Sequence, residues 1–317
     1  MSPRVVFMGS PDFAVPTLQA LIGNAGVVGV VTQPDRPAGR GRGIRQPPVK
    51  TLALEAGIPV IQPEKLSAPE AMQALERWAP EVIVVAAFGQ ILKPPVLDLP
   101  RYGCLNVHAS LLPRWRGASP VQAALLAGDD HTGATIIKMD PGVDTGPILA
   151  QESTPLLAED TGASLTNRLA QIGAVLLSAT LPAYLSGKID PRPQDDSAAT
   201  YARLLKKSDG ELDLRIDAQT LARQVRAYDP WPGSFLLWNG TRLKVHGAHA
   251  TGTHSPGAGC RIVVDGLPGV GTGSGILILD LIQLPGRKTL LGAEFLKGRR
   301  DWGEDDAQLP GIEADEG

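Results

Sequence analysis

The chain has few of the features that most readily assign a protein to a compartment or a cofactor. Only two cysteines, Cys104 and Cys260, occur in 317 residues, far apart and outside any C-x-x-C pair. This spacing argues against a disulfide framework and a thiolate zinc site, and it fits a reducing compartment. No apolar stretch of membrane-spanning length is read from the sequence. The apolar start, residues 5–9, is too brief for a signal peptide, so the cytoplasm is the expected location. The glycine turn after that run lacks G-x-G-x-x-G, which speaks against a nicotinamide site. His246, His249 and His254 have no acidic or thiol companions at ligand spacing, so no metal is expected. Internal repeats are absent, and so is an overall positive charge: the net charge is -3.

The distribution of charge weakens the case against a polyanionic partner. Asp301, Glu304, Asp305, Asp306, Glu313, Asp315 and Glu316 crowd the C-terminal tail, whereas residues 206–300 hold thirteen basic side chains against eight acidic ones. Residues 35–50 carry Arg36, Arg40, Arg42, Arg45 and Lys50 against Asp35 alone. Local basic patches, rather than the sum, govern binding to a polyanion.

The length predicts two domains. Residues 5–9, 27–33, 60–61, 81–87, 105–108 and 134–139 read as strands. Helical patterns run over 12–22 (capped at its start), 49–56, 70–78, 120–126 and 164–185. This alternation predicts an α/β domain over residues 1–188, with a doubly wound, mostly parallel, Rossmann-like sheet. Residues 189–206 are polar and proline-bearing and read as a linker. In residues 207–317 one amphipathic helix, 219–227, precedes strand-like runs at 235–238, 243–246, 261–264 and 276–284, which predict a small OB-like β-barrel. The glycine-rich segment 269–275 reads as a turn between strands, and Trp231, between two prolines, as an interdomain packing corner.

The chemistry is concentrated around Asn106 and His108. They lie two apart in an apolar run and so share one face of a strand. Ser110 to Gly117 (S-L-L-P-R-W-R-G) follows as a rigid loop, and Asp144 sits later in D-P-G-V-D-T-G. An amide can hold a developing oxyanion, an imidazole can move a proton, and a carboxylate can orient and charge-tune the imidazole. Such a set suits acyl transfer to an amine without a Ser or Cys nucleophile. A buried polar trio that only satisfies its own hydrogen bonds is the other reading of the same residues.

Asn-x-His, S-L-L-P-x-x-R-G and D-x-G-x-D-T-G together resemble the signature of the folate-dependent formyltransferases. Four further segments, 9–14, 32–41, 48–50 and 229–232, resemble the branch of that family that acts on charged tRNA, so the resemblance spans nearly the whole chain. It implies 10-formyltetrahydrofolate as donor and initiator methionyl-tRNA as acceptor, with no metal, no membrane and no obligate protein partner. Asn106, His108 and Asp144 fall on the family's catalytic positions. Ser110, Leu111, Leu112 and Pro113 would line the donor site, with Phe88, Gly89 and Ile91 near the pterin. Arg36, Arg40, Arg42 and Arg45 would meet tRNA. A formyltransferase for a small amine would need neither this arginine loop nor the C-terminal module. A catalytically silent RNA-binding protein would not need the Asn106, His108 and Asp144 set.

Overall fold

The computed structural model describes residues 2–38 and 43–303. The chain divides into two compact units. One comprises Met1–Pro120, His131–Pro155 and Thr166–Arg203; the other comprises Val121–Asp130, Leu156–Leu165 and Leu204–Gly317.

In the first unit the strands are β1 (Arg4–Gly9), β2 (Gly26–Val31), β3 (Arg36–Ala38), β4 (Gly43–Arg45), β5 (Val60–Ile61), β6 (Val82–Ala86), β7 (Cys104–His108), β8 (Arg116–Gly117), β9 (His131–Lys138), β10 (Ile148–Pro155) and β11 (Tyr201–Ala202). Seven of them form one sheet in the order β10-β9-β7-β6-β1-β2-β5. The neighbours from β5 to β7 pair in parallel; β9 runs antiparallel to β7, and β10 to β9. Strand order reverses between β1 and β6, so the crevice at their C-terminal ends is the position where such sheets receive ligands.

Strand alternation explains the two cores. Val5, Phe7, Val82, Val84, Leu105 and Val107 pack with Leu18, Val49, Leu177 and Leu181 of the helices on one face. Val6, Met8, Ile83, Val85 and Cys104 pack with Leu75, Val96 and Phe88 on the other. Burial on both faces is why these strands read as continuous apolar runs. Since Leu105 and Val107 face one core and Cys104 the other, Asn106 and His108 share the side of Cys104.

Several expectations need correction. The first helix starts late: Asp12–Ala14 is a 3-10 turn, and the helix proper, Val15–Asn24, has Pro16 in its first turn and no side-chain cap. Strand β10 was not anticipated, because its second half is polar and exposed and lacks a buried-strand signature. The helix Gly162–Leu185 is, by length and composition alone, long and apolar enough to cross a bilayer; its Leu177 and Leu181 pack under the sheet. The stretch read as a linker is laid along the first unit: Arg192 bridges Ile148, and β11 pairs with β8.

The second unit holds β12 (Ser234–Trp238), β13 (Thr241–Thr251), β14 (Arg261–Val264), β15 (Leu267–Gly271), β16 (Ile276–Gln283) and β17 (Leu290–Leu291), with helices Ala218–Ala227 and Gly292–Lys297. The sheet is antiparallel, ordered β12-β13-β16-β15-β14, with β17 added to β16. Among the described residues β12 and β14 do not pair, so the ladder stays open where a closed barrel was expected. Both edge strands are short, and bulges between Val245 and Ala248 bend β13, curving the sheet without closing it. Trp231 is 49% exposed, not packed in a corner.

Strand β15 takes the first three residues of the segment read as a turn, and 272–275 connect it to β16. A Cβ on Gly271 would collide with the main-chain carbonyl oxygen of Gly257, so glycine there is a packing requirement. Trp302, fully buried, donates its indole N–H to the carbonyls of Ile262 (3.1 Å) and Gly269 (3.2 Å). It also packs edge-on to Trp238 and Phe295 at 5.7 and 5.4 Å between centroids. Trp302→Ala should therefore cost about 3–5 kcal/mol of stability, read as a shift of the denaturant midpoint. A midpoint equal to that of the wild-type protein would show that the indole does not support this core.

Candidate active site

Asn106 and His108 end β7, where His108 is 5% exposed and pairs across the sheet with Thr135 of β9. Asp144 lies on the loop that joins β9 to β10. Asp140 shapes that loop, accepting from the Gly142 N–H (3.1 Å) and the Thr145 hydroxyl (2.6 Å). Asp144 itself takes φ +54°, a left-handed conformation that aspartate tolerates better than most side chains.

The carboxylate is the hub. Its Oδ1 accepts from Asn106 Nδ2 at 3.2 Å, and its Oδ2 accepts from the Gly117 N–H at 2.9 Å. The same Oδ2 lies 3.6 Å from His108 Nδ1, within ion-pair range. His108 Nε2 is 2.9 Å from the carbonyl of Trp115. A carbonyl only accepts, so Nε2 carries a hydrogen in this bond, and Nδ1 is the ring atom that faces Asp144. Asn106 gives Asp144 one of two amide hydrogens, which leaves a donor for an oxyanion at the C-terminal edge of the sheet.

The following loop is built as a cradle. Ser110, fully buried, donates its hydroxyl to Arg114 O (2.6 Å), and its carbonyl accepts from the Thr135 hydroxyl (2.6 Å). Thr135 also receives the Leu112 N–H (3.2 Å), while Gln151 donates to Leu112 O (2.9 Å). Leu112 packs against Ile137 and Ile148. Ser110 and Leu112 are thus committed to the loop's shape, whereas Leu111 and Pro113 remain partly exposed. Phe88 buries its ring in the core and offers its carbonyl to Gln33 Nε2 (3.1 Å). Gly89 adopts φ +81°, and Ile91 is 75% exposed just beyond.

The arginine segment was read as a loop. Its two arms, β3 and β4, instead pair as an antiparallel ladder with Arg36 directly opposite Arg45, both exposed. Like charges in that register repel. Arg40 and Arg42 lie outside the described residues. Lys50 is held by Asp35 at 2.7 Å, and Gln62 donates to the same carboxylate at 2.7 Å. Those bonds, Lys50 first, hold Asp35 below the usual carboxylate range.

Thr135, Gln151 and Gln194 were missed by sequence reasoning. None belongs to a motif, and only the fold brings them to the loops. Gln194 donates to the carbonyls of Asp144 and Gly146 and accepts from Arg116. Arg116 is 1% exposed and ion-paired to Asp196. Burial alone would lower its pKa, but hydrogen bonds to Asp196 and Tyr201 outweigh that and raise it.

Residues 3–181 match the family described as formyl transferase, and residues 204–300 match the formyl transferase C-terminal domain. The chain is 50% identical over 304 residues to the methionyl-tRNA formyltransferase of Halorhodospira halophila, covering 95% of this chain and 97% of that protein. It is 46% identical over 299 residues to the enzyme of the same name from Myxococcus xanthus, covering 94% and 96%. Among solved structures, the N-formyltransferase of Helicobacter canadensis, in complex with folinic acid and dTDP-3-aminofucose, shares the fold. Its TM-score is 0.63 at 17% identity, over 88% of this chain and 99% of that one.

Cys104 lies two residues before Asn106, yet burial first and the nearby Asp98 second push its thiol up to about 12. It should resist iodoacetamide in the native protein at pH 8 and react only in denaturant. The value exceeds the ordinary 9.0, so the unfolded state releases this proton first and stability should fall as pH rises above about 9. Native-state modification of Cys104, read by mass spectrometry, would contradict its place in the core.

Proposed function

The chain belongs to the formyl transferase family, and from that premise we propose that Asn106, His108 and Asp144 carry its chemistry. The reaction transfers the formyl group of 10-formyltetrahydrofolate to the α-amino group of methionine on initiator tRNA, giving formylmethionyl-tRNA for translation initiation. The observation that carries the residue assignment is the Asp144 carboxylate, which gathers Asn106, His108 and the Gly117 N–H at the end of β7.

The neutral amine attacks the formyl carbon, and the new carbon–nitrogen bond forms as the carbonyl becomes an oxyanion. Asn106 Nδ2–H holds that oxyanion. His108 Nδ1, kept beside Asp144, takes the proton the amine sheds. Collapse of the intermediate breaks the bond to folate N10, and His108 returns the proton there, so charge and atoms balance without a covalent enzyme species. Ile91, Leu111 and Pro113 offer partly exposed apolar surface to the donor, while Phe88, Gly89, Ser110 and Leu112 shape the walls. Arg36, Arg40, Arg42 and Arg45 meet tRNA phosphates. Basic side chains of the second unit, thirteen of them within residues 206–300, help hold the same ligand, and the setting is the cytoplasm.

Asn106→Ala and His108→Ala should each lower turnover by about a hundred- to a thousandfold with tRNA affinity nearly intact. Near wild-type turnover in either would withdraw that residue from the set.

For the arginine arm, Arg40→Ala and Arg42→Ala should weaken productive use of charged tRNA and flatten its salt dependence, with the KM for folate unchanged. Kinetics with tRNA and folate varied separately, at two salt concentrations, measure this. An unchanged tRNA efficiency and salt slope in both variants would reopen a small-amine acceptor.

A further inference from the structure

We propose that Gln194 is a positioning residue of this site, setting the backbone that presents Asp144 to His108. The proposal rests on the assignment of Asp144 given above. Gln194 Nε2 donates to Asp144 O at 2.8 Å and to Gly146 O at 2.7 Å. Its Oε1 accepts from Arg116 Nε at 3.1 Å and Nη2 at 2.9 Å. A primary amide has two hydrogens and two lone pairs, and all four are used here. The orientation is therefore unambiguous: a flipped amide would set oxygen against two carbonyls and NH2 against a guanidinium.

These contacts close a ring. The Gly117 N–H donates to Asp144 Oδ2, and Trp115 O receives His108 Nε2. Arg116, between them, sends its side chain through Gln194 to the backbone of Asp144 and Gly146. One three-residue segment thus fixes the carboxylate by its main chain and the peptide behind it by its side chain. The ring matters because Asp144 sits at φ +54°. A non-glycine residue holds that conformation only where its surroundings over-determine it. His108 Nδ1 is already 3.6 Å from Oδ2, so a small relaxation of this loop takes the carboxylate out of ion-pair range. Misplacement on the order of 1 Å typically costs up to about a hundredfold in rate.

The discriminating substitution is Gln194→Glu. It keeps size and the Arg116 contact, but it places a carboxylate oxygen against two carbonyls it cannot donate to. If Gln194 only ties its segment to Arg116, the substitution preserves that link and turnover stays at wild-type level. If Gln194 positions Asp144, kcat falls about ten- to a hundredfold, while the KM values for folate and charged tRNA stay close to wild type. His108→Ala in the same assay separates the two readings. If it too keeps full turnover, the catalytic assignment fails, whereas loss there with none in Gln194→Glu overturns this proposal alone. Should Gln194→Glu not fold, the wild-type side-chain amide decides: two distinct, exchange-protected proton resonances support the ring, and one rapidly exchanging pair overturns it.

Discussion

The site depends on one carboxylate being shared. Asp144 receives an amide hydrogen from Asn106 and a main-chain hydrogen from Gly117, and it faces the imidazole of His108. A carboxylate has about four acceptor positions, so three partners can be served at once only from a fixed direction. The left-handed backbone of Asp144 provides that direction. Asp140 from inside the loop and Gln194 from outside keep it there.

The sheet makes this arrangement possible. β7 is the last strand of the parallel set and its C-terminal end opens on the ligand edge. Because β9 runs back antiparallel to it, Thr135 stands opposite His108 and can anchor the loop that follows β7. β9 then leaves through the Asp144 loop and returns as β10. That loop starts beside the other end of β7, since Lys138 pairs with Leu105. Its path back toward β10 is what brings Asp144 within reach of Asn106 and Gly117.

The sequence carried the parts of the fold that follow from local period. Residues 81–87 announced a strand buried on both faces, and the shared face of Asn106 and His108 followed from a spacing of two. The sequence was silent where long-range packing decides. The segment 269–275 reads as a turn because glycine usually serves turns, but its first three residues lie between β14 and β16 as part of an inner strand. Residues 189–206 read as a linker because proline and acids dominate, yet Gln194, Thr200 and β11 lie along the first unit. In both places the determining fact is a pairing partner outside the segment, which its own pattern does not encode. The arginine hairpin was half legible: its charges were visible, its register was not.

The proportion of holding groups to reacting ones follows from the chemistry. An amine is already a competent nucleophile and a formyl carbonyl is an accessible electrophile, so the protein supplies no attacking atom. Charge must be met where it develops and the reactants must be kept in line, and both tasks reward rigidity over reactivity. Ser110 fits this reading. In another enzyme a buried serine two residues after a histidine would suggest a nucleophile, but here its hydroxyl is spent on Arg114 O and its carbonyl on Thr135. Cys104, the thiol nearest Asn106 in sequence, is held protonated by burial. Thr135, Gln151, Arg116 and Gln194 all contribute hydrogen bonds that end on main-chain carbonyls or on one another. Their common product is the fixed placement of one amide, one imidazole and one carboxylate.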